Sequence, residues 1–155
     1  MKSLRRLNQI GTPRLAASAL RIMLNGWATD ERMRALHTHQ PRCCAMGCEQ
    51  GKDSIEHYAV CGQFWKFACA PCPGGLGLPE THRSLAHFLL VMNVIDDDAF
   101  LRMAVGGYAL ARTIMAIRKH GGDLPLNPTP LLRWYAHRAL DGCKATKILH
   151  GKRPV

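Results

Sequence analysis

Along this chain the apolar positions recur at intervals of three and four, the spacing that places side chains on one face of an α-helix. Leu15, Ala16, Ala19, Leu20, Met23 and Leu24 form the first such stripe. It opens at Thr12-Pro13, a capping hydroxyl ahead of a proline at the first helical position, and closes at Asn25-Gly26. A second, short helix is expected from Thr29, with Asp30 and Glu31 near its positive end and Met33 and Leu36 on its apolar side. Phe64-Trp65-Lys66-Phe67 continues as helix, its aromatics turned to the core. Residues 70–79 hold three prolines and three glycines, so regular structure stops there.

Beyond that boundary the pattern predicts three more helices. One spans Thr81 to Met92. The next runs from Asp97 to His120, is apolar on nearly every side around Met103 to Ala111, and ends at Gly121-Gly122. Asp96-Asp97-Asp98 reads as its N-terminal cap, and Gly106 and Gly107 allow another helix to cross closely. After Pro125 and Pro128, Thr129-Pro130 repeats the capping pattern and opens the last helix through Leu131, Leu132, Trp134, Tyr135 and Leu140. No strand-like alternation intervenes. The expected fold is all-α, a small helical domain with a zinc knuckle insert. Its parts are residues 1–69, a linker over 70–80, and residues 81–155, together forming one compact unit.

Composition changes this picture in two ways. Hydrophobic residues make up 47% of the 155, enough for a real core, but aromatics are only 6%, which leaves the filling to Leu, Ala, Met, Ile and Val. Lys and Arg number 21 against 11 acids, a formal charge of +10 that attracts polyanions, nucleic acid ahead of an acidic membrane surface. The stretch from Phe100 to Ile117 is interrupted by Arg102 and Arg112, so no membrane span is expected.

Seven cysteines, an odd number without a preceding signal peptide, fit metal-bound thiols in a reducing compartment. An intracellular location, nuclear or cytoplasmic, follows. Lys2, Arg5, Arg6, Arg14 and Arg21, with no acid before residue 30, also resemble an organelle-targeting segment, although the first helix of the fold is the preferred reading.

The chemistry concentrates between residues 44 and 61. Cys44 and Cys48 are separated by three residues, with Gly47 easing the turn between them. Asp53 and Glu56 suggest a capping box, and helix from there carries His57 and Cys61 on one face. Three thiolates and an imidazole fill the tetrahedral shell of Zn²⁺ and leave no position for a catalytic water. Cys43 competes with Cys44 for the first place, and His37 and His39 are near enough in sequence to substitute.

Leu24-Asn-Gly-Trp-Ala-Thr29, an Arg-containing helix, Cys-x3-Cys, Asp-Ser-Ile-Glu-His-Tyr and a final Cys together resemble the zinc-binding region that follows the reverse transcriptase of non-LTR retrotransposons. Arg112-Thr-Ile-Met-Ala-Ile-Arg118 is similar to the helical segment after that knuckle. The likeness covers roughly residues 20–120 and implies the ligands Cys44, Cys48, His57 and Cys61 in a detached fragment without polymerase activity.

Three functions compete. In the first, the knuckle is part of a nucleic-acid-binding module, with phosphate contacts from Arg32, Arg34, Arg42 and Lys52 and from Arg133, Arg138, Lys144, Lys147, Lys152 and Arg153. In the second, zinc staples helices that bind a partner protein. In the third, Cys69-Ala-Pro-Cys72 serves thiol–disulfide exchange. No Ser/His/Asp set, phosphate-binding loop or paired catalytic carboxylates is present, so enzymatic activity is not expected.

Overall fold

The computed structural model describes residues 2–24, 26, 27, 29, 43–49, 51–91, 96–119, 127–141 and 143. The short helix expected after Thr29 and the glycine stop at 121–122 lie outside these residues. Seven α-helices are described: α1 (Lys2–Ile10), α2 (Pro13–Met23), α3 (Ile55–Tyr58), α4 (Gly62–Cys69), α5 (Leu85–Phe88), α6 (Asp97–Lys119) and α7 (Thr129–Leu140). A 3-10 turn spans Glu80–His82, and among the described residues there is no strand. The protein is mostly helical.

α6 is the element around which the others are arranged. Asp96 caps it, its Oδ1 accepting from the Ala99 amide at 2.8 Å. Asp97 and Asp98 occupy the first turn and Arg118 and Lys119 the last, matching charge to the helix dipole. Its most extensive packing is against α7, then against α2. By length and composition α6 is apolar enough to cross a membrane, contrary to the sequence expectation. Its apolar window is 67% buried inside the protein, which accounts for that apolarity as a core helix.

The two glycines of α6 meet different neighbours. A Cβ on Gly107 would stand 2.4 Å from Ile22 Cδ1, so α2 crosses here. A Cβ on Gly106 would stand 2.8 Å from Leu76 Cδ1 and 3.3 Å from the Phe64 ring. Only one of the pair therefore serves a helix crossing; the other admits a loop leucine and an aromatic from α4.

Thr12 caps α2 as expected, accepting from the Leu15 amide at 3.3 Å. The buried stripe is Leu15, Ala16, Ala19 and Ile22, while Leu20 and Leu24 are 40% and 68% exposed. Leu20 lies on the flank of that stripe, and Leu24 is already past the end of the helix.

Two other boundaries differ from the pattern. The helix expected over Thr81–Met92 is broken because Ser84 caps a new turn, its hydroxyl accepting from the His87 amide. After α5, Leu90 takes a left-handed φ of 58°, which cannot continue a helix. Thr129 does not cap α7 but is its first residue; its amide donates to the Asn127 side chain at 3.0 Å.

Residues 76–78 fold back onto the end of α4. The Leu76, Gly77 and Leu78 amides donate to the Phe67, Ala70 and Ala68 carbonyls, and both leucines are buried. Phe64, Trp65 and Phe67 are buried as expected. Phe64 meets Phe88 edge-on at 5.9 Å, and the Trp65 indole N–H donates to the Ala59 carbonyl at 2.8 Å. Trp27 completes this aromatic layer, edge-on to Phe88 at 5.5 Å and tilted on Tyr58 at 6.1 Å.

Candidate metal centre

Cys44-Ala-Met-Gly-Cys48 is a tight turn. Gly47 has φ +82°, and its amide donates to the Cys44 carbonyl at 3.0 Å. A side chain at that φ would cost about 1–2 kcal/mol. The Met46 amide points back at Cys44 Sγ at 3.4 Å, a donor poised for a thiolate. Cys43, exposed, is held aside by an antiparallel bridge to Lys52, which leaves the buried Cys44 facing inward.

The second half is built differently from the expectation. Ser54, not Asp53, caps α3, its hydroxyl accepting from the His57 amide at 3.1 Å. Asp53 is occupied elsewhere: Tyr58 donates its hydroxyl proton to Asp53 Oδ1 at 2.8 Å, and Arg118 of α6 pairs with Oδ2. Glu56 is exposed. Nor do His57 and Cys61 share a helix, because α3 ends at Tyr58 and Cys61 is the N-cap residue of α4. The chain turns between them, and both still reach one point.

That point is well defined. The ligand atoms of Cys44, Cys48, His57 and Cys61 all lie within 4.8 Å of one another. Cys61 Sγ is 3.8 Å from Cys44 Sγ and 3.4 Å from Cys48 Sγ. Metal–sulfur bonds of about 2.3 Å at tetrahedral angles set two sulfurs about 3.8 Å apart, so the spacing suits one ion. Cys44 and Cys61 are fully buried.

Two observations test whether a metal fits. The His57 Nε2 atom is buried and has no hydrogen-bond partner among the described residues. An imidazole nitrogen left so is costly unless it binds something. Gly51 forms the wall of the site: a Cβ there would stand 2.4 Å from His57 Cε1 and Nε2 and 3.0 Å from Cys44 Cβ. The set fits a metal ion.

The electrostatics agree. The Cys61 thiol is pushed down to about 5, chiefly by its hydrogen bond with Cys44 and next by the Phe64 amide at the start of α4, against the effect of burial. Cys44 moves the other way, its proton retained by the hydrogen bond to Cys61 and by burial. Cys48 also rises, through burial first. One thiolate forms readily, therefore, but three in contact require a cation to balance them.

Gly51→Ala is expected to lower metal affinity by about 10- to 100-fold, the effect typical of disturbing a ligand's support. A competition titration against a chelating dye measures it; unchanged affinity would mean that His57 is not a ligand.

The remaining candidates are dispersed. Lys52 is exposed beside the knuckle turn. Arg133 and Arg138 are exposed on α7, where Arg133 Nε donates to the Gly74 carbonyl at 2.7 Å and Arg138 lies 5.0 Å over the Trp134 ring. Arg32, Arg34, Arg42, Lys144, Lys147, Lys152, Arg153, His37 and His39 lie outside the described residues. Cys69 is the last residue of α4, where a helix dipole disfavours a thiolate, and its thiol is pushed up by burial and then by Glu80. Cys72 is exposed, its Sγ 3.4 Å from the Gly75 carbonyl.

Sequence reasoning missed Tyr58 and Arg118. Tyr58 accepts from the Ala45 amide at 3.1 Å while donating to Asp53, so one hydroxyl ties the knuckle turn to the buried carboxylate. Arg118 fastens that carboxylate to α6 across 65 residues. Both stand in segments quoted for the resemblance, but no local spacing marked their bonds to Asp53.

No protein-family model, curated protein or solved structure matches this chain.

Proposed function

We propose that the protein is a zinc-stapled module that binds nucleic acid and has no polymerase or other catalytic activity of its own. The observation that carries this is the closed Cys44, Cys48, His57, Cys61 cluster in a chain of charge +10. Thiolate with imidazole favours zinc among available ions, and four protein ligands leave no coordination site for chemistry. A structural ion in a basic helical fold serves to present cations to phosphates. The resemblance of the motifs to the region after the reverse transcriptase of non-LTR retrotransposons supports the same reading.

A second reading, a protein-interaction module, draws on Leu20 and Leu24, exposed on and just beyond α2. Thiol–disulfide exchange at Cys69 and Cys72 draws less support, since Cys69 ends a helix instead of beginning one.

Fluorescence anisotropy of zinc-loaded protein with a labelled RNA or DNA strand tests the proposal. With four phosphate contacts, affinity should fall about 50-fold between 50 and 200 mM salt, from a single-strand slope of about −0.7 per contact. Absence of saturable binding at the lower salt would exclude it and leave the interaction module.

A further inference from the structure

We infer that the groove between α2 and α6 is a binding site for single-stranded nucleic acid, with phosphates on its arginines and bases against Tyr108. This rests on the nucleic-acid reading above and assigns it a place that the phosphate contacts expected from the sequence did not include. The groove has a volume of about 650 Å³. That is the size range of small-ligand sites, about 300–1,000 Å³, and too small to enclose a duplex.

Its charge is one-sided. Arg14 and Arg21 line it from α2, Arg112 and Arg118 line it from α6, and no Asp or Glu does. Seven residues apart, Arg14 and Arg21 share a helix face about 10 Å apart along its axis. Arg14, Arg21 and Arg112 are exposed, and none is paired with a carboxylate among the described residues. The Arg112 guanidinium lies over the Tyr135 ring at 5.6 Å, which fixes its plane and leaves its edge donors for an anion. Clustered uncompensated cations repel one another, and a polyanion relieves that repulsion.

The lining between the arginines is apolar and aromatic. Tyr108 is half-buried in the groove and Met115 is 57% exposed, giving flat and polarisable surface on which a base can rest. Alternating cations and an aromatic platform match the alternating phosphates and bases of a single strand, whereas an acidic peptide would use only the cations. The wall is also held in place. Arg118 is anchored to buried Asp53, and Trp27 packs on Tyr58 of the metal module.

The test uses the full chain, zinc-loaded, with fluorescein-labelled rU12 and dT12, a 12-base-pair duplex, and polyglutamate. The groove variant is Arg14→Gln/Arg21→Gln/Arg112→Gln; Arg5→Gln/Lys66→Gln/Lys119→Gln matches its charge elsewhere; circular dichroism and zinc content verify both. The groove variant is expected to lose at least about tenfold in single-strand affinity and about 2 units of salt slope, and the matched variant less than about threefold. Tyr108→Leu should lose about tenfold with the slope unchanged. Equal losses in the two triple variants, with wild-type binding intact, would overturn the groove and leave the nucleic-acid reading standing. Equal affinity for the duplex or for polyglutamate would also overturn it. A wild-type protein that binds no strand removes both.

Discussion

Chelating the ion from the zinc-loaded protein is expected to lower its melting temperature by about 8–16 °C. The ion contributes about 4 kcal/mol when present a thousandfold above its dissociation constant, and a domain of this size shifts about 2–4 °C per kcal/mol. The direction follows from local structure. α3 has four residues and α4 has eight, each below the length at which a helix stands alone. Without the cation, Cys44 keeps its proton and shares it with the Cys61 sulfur, and the ligands lose the centre that ties the turn at Cys44 to the start of α4. Loss of the ion should therefore melt the segment around Cys44 to Cys61 first, while α6 keeps its contacts with α2 and α7. Thermal scans by circular dichroism with and without chelator measure this, and Cys48→Ser/His57→Ala should reproduce the stripped curve. Superimposable scans, with metal analysis proving removal, would reduce the cluster to packed thiols.

The second large effect is expected at Arg118. Asp53 has a side chain only 1% exposed, and Arg118 of α6 pairs with it. Taking one charge from a buried pair costs about 3–5 kcal/mol, because the other stays in a poorly solvating site. Arg118→Met should lower the unfolding free energy obtained from urea titration by that amount, while Asp53→Asn/Arg118→Met should recover part of the loss. Strict additivity of the two substitutions would show that the pair is not coupled. Arg118→Met should also weaken zinc binding, since Asp53 holds Tyr58 and Tyr58 holds the Ala45 amide of the knuckle turn.

The contrast between those two sites explains how far the sequence could be read. The ligand cluster was legible because its parts are local: Cys-x3-Cys with a glycine, then a histidine and a cysteine four apart. Periodicity located α2 and α7 because each buries one side against the core, and α6 was marked by apolar residues on nearly every side. The reading failed where one side chain had two possible tasks. Asp53 could cap a helix or accept a buried ion pair; which it does depends on Arg118, 65 positions away. Ser84 and Leu90 divide what looked like one helix, and only the packing of Phe88 and Leu90 into the core makes that break worthwhile. The groove was invisible for a similar reason. Its arginines come from two helices whose crossing is set by Ile22 against Gly107.

The three tryptophans carry a practical consequence of this arrangement. Trp65 is buried and bound to a carbonyl in the turn between His57 and Cys61, and Trp27 lies against Tyr58, while Trp134 is half-exposed on α7. Two indoles thus have emission sensitive to the packing of the segment from Cys44 to Cys61, and the third emits from a wet surface on α7. The protein contains its own optical probes of the segment from Cys44 to Cys61, with a built-in reference, and needs no attached dye to distinguish opening of that segment from melting of the helices.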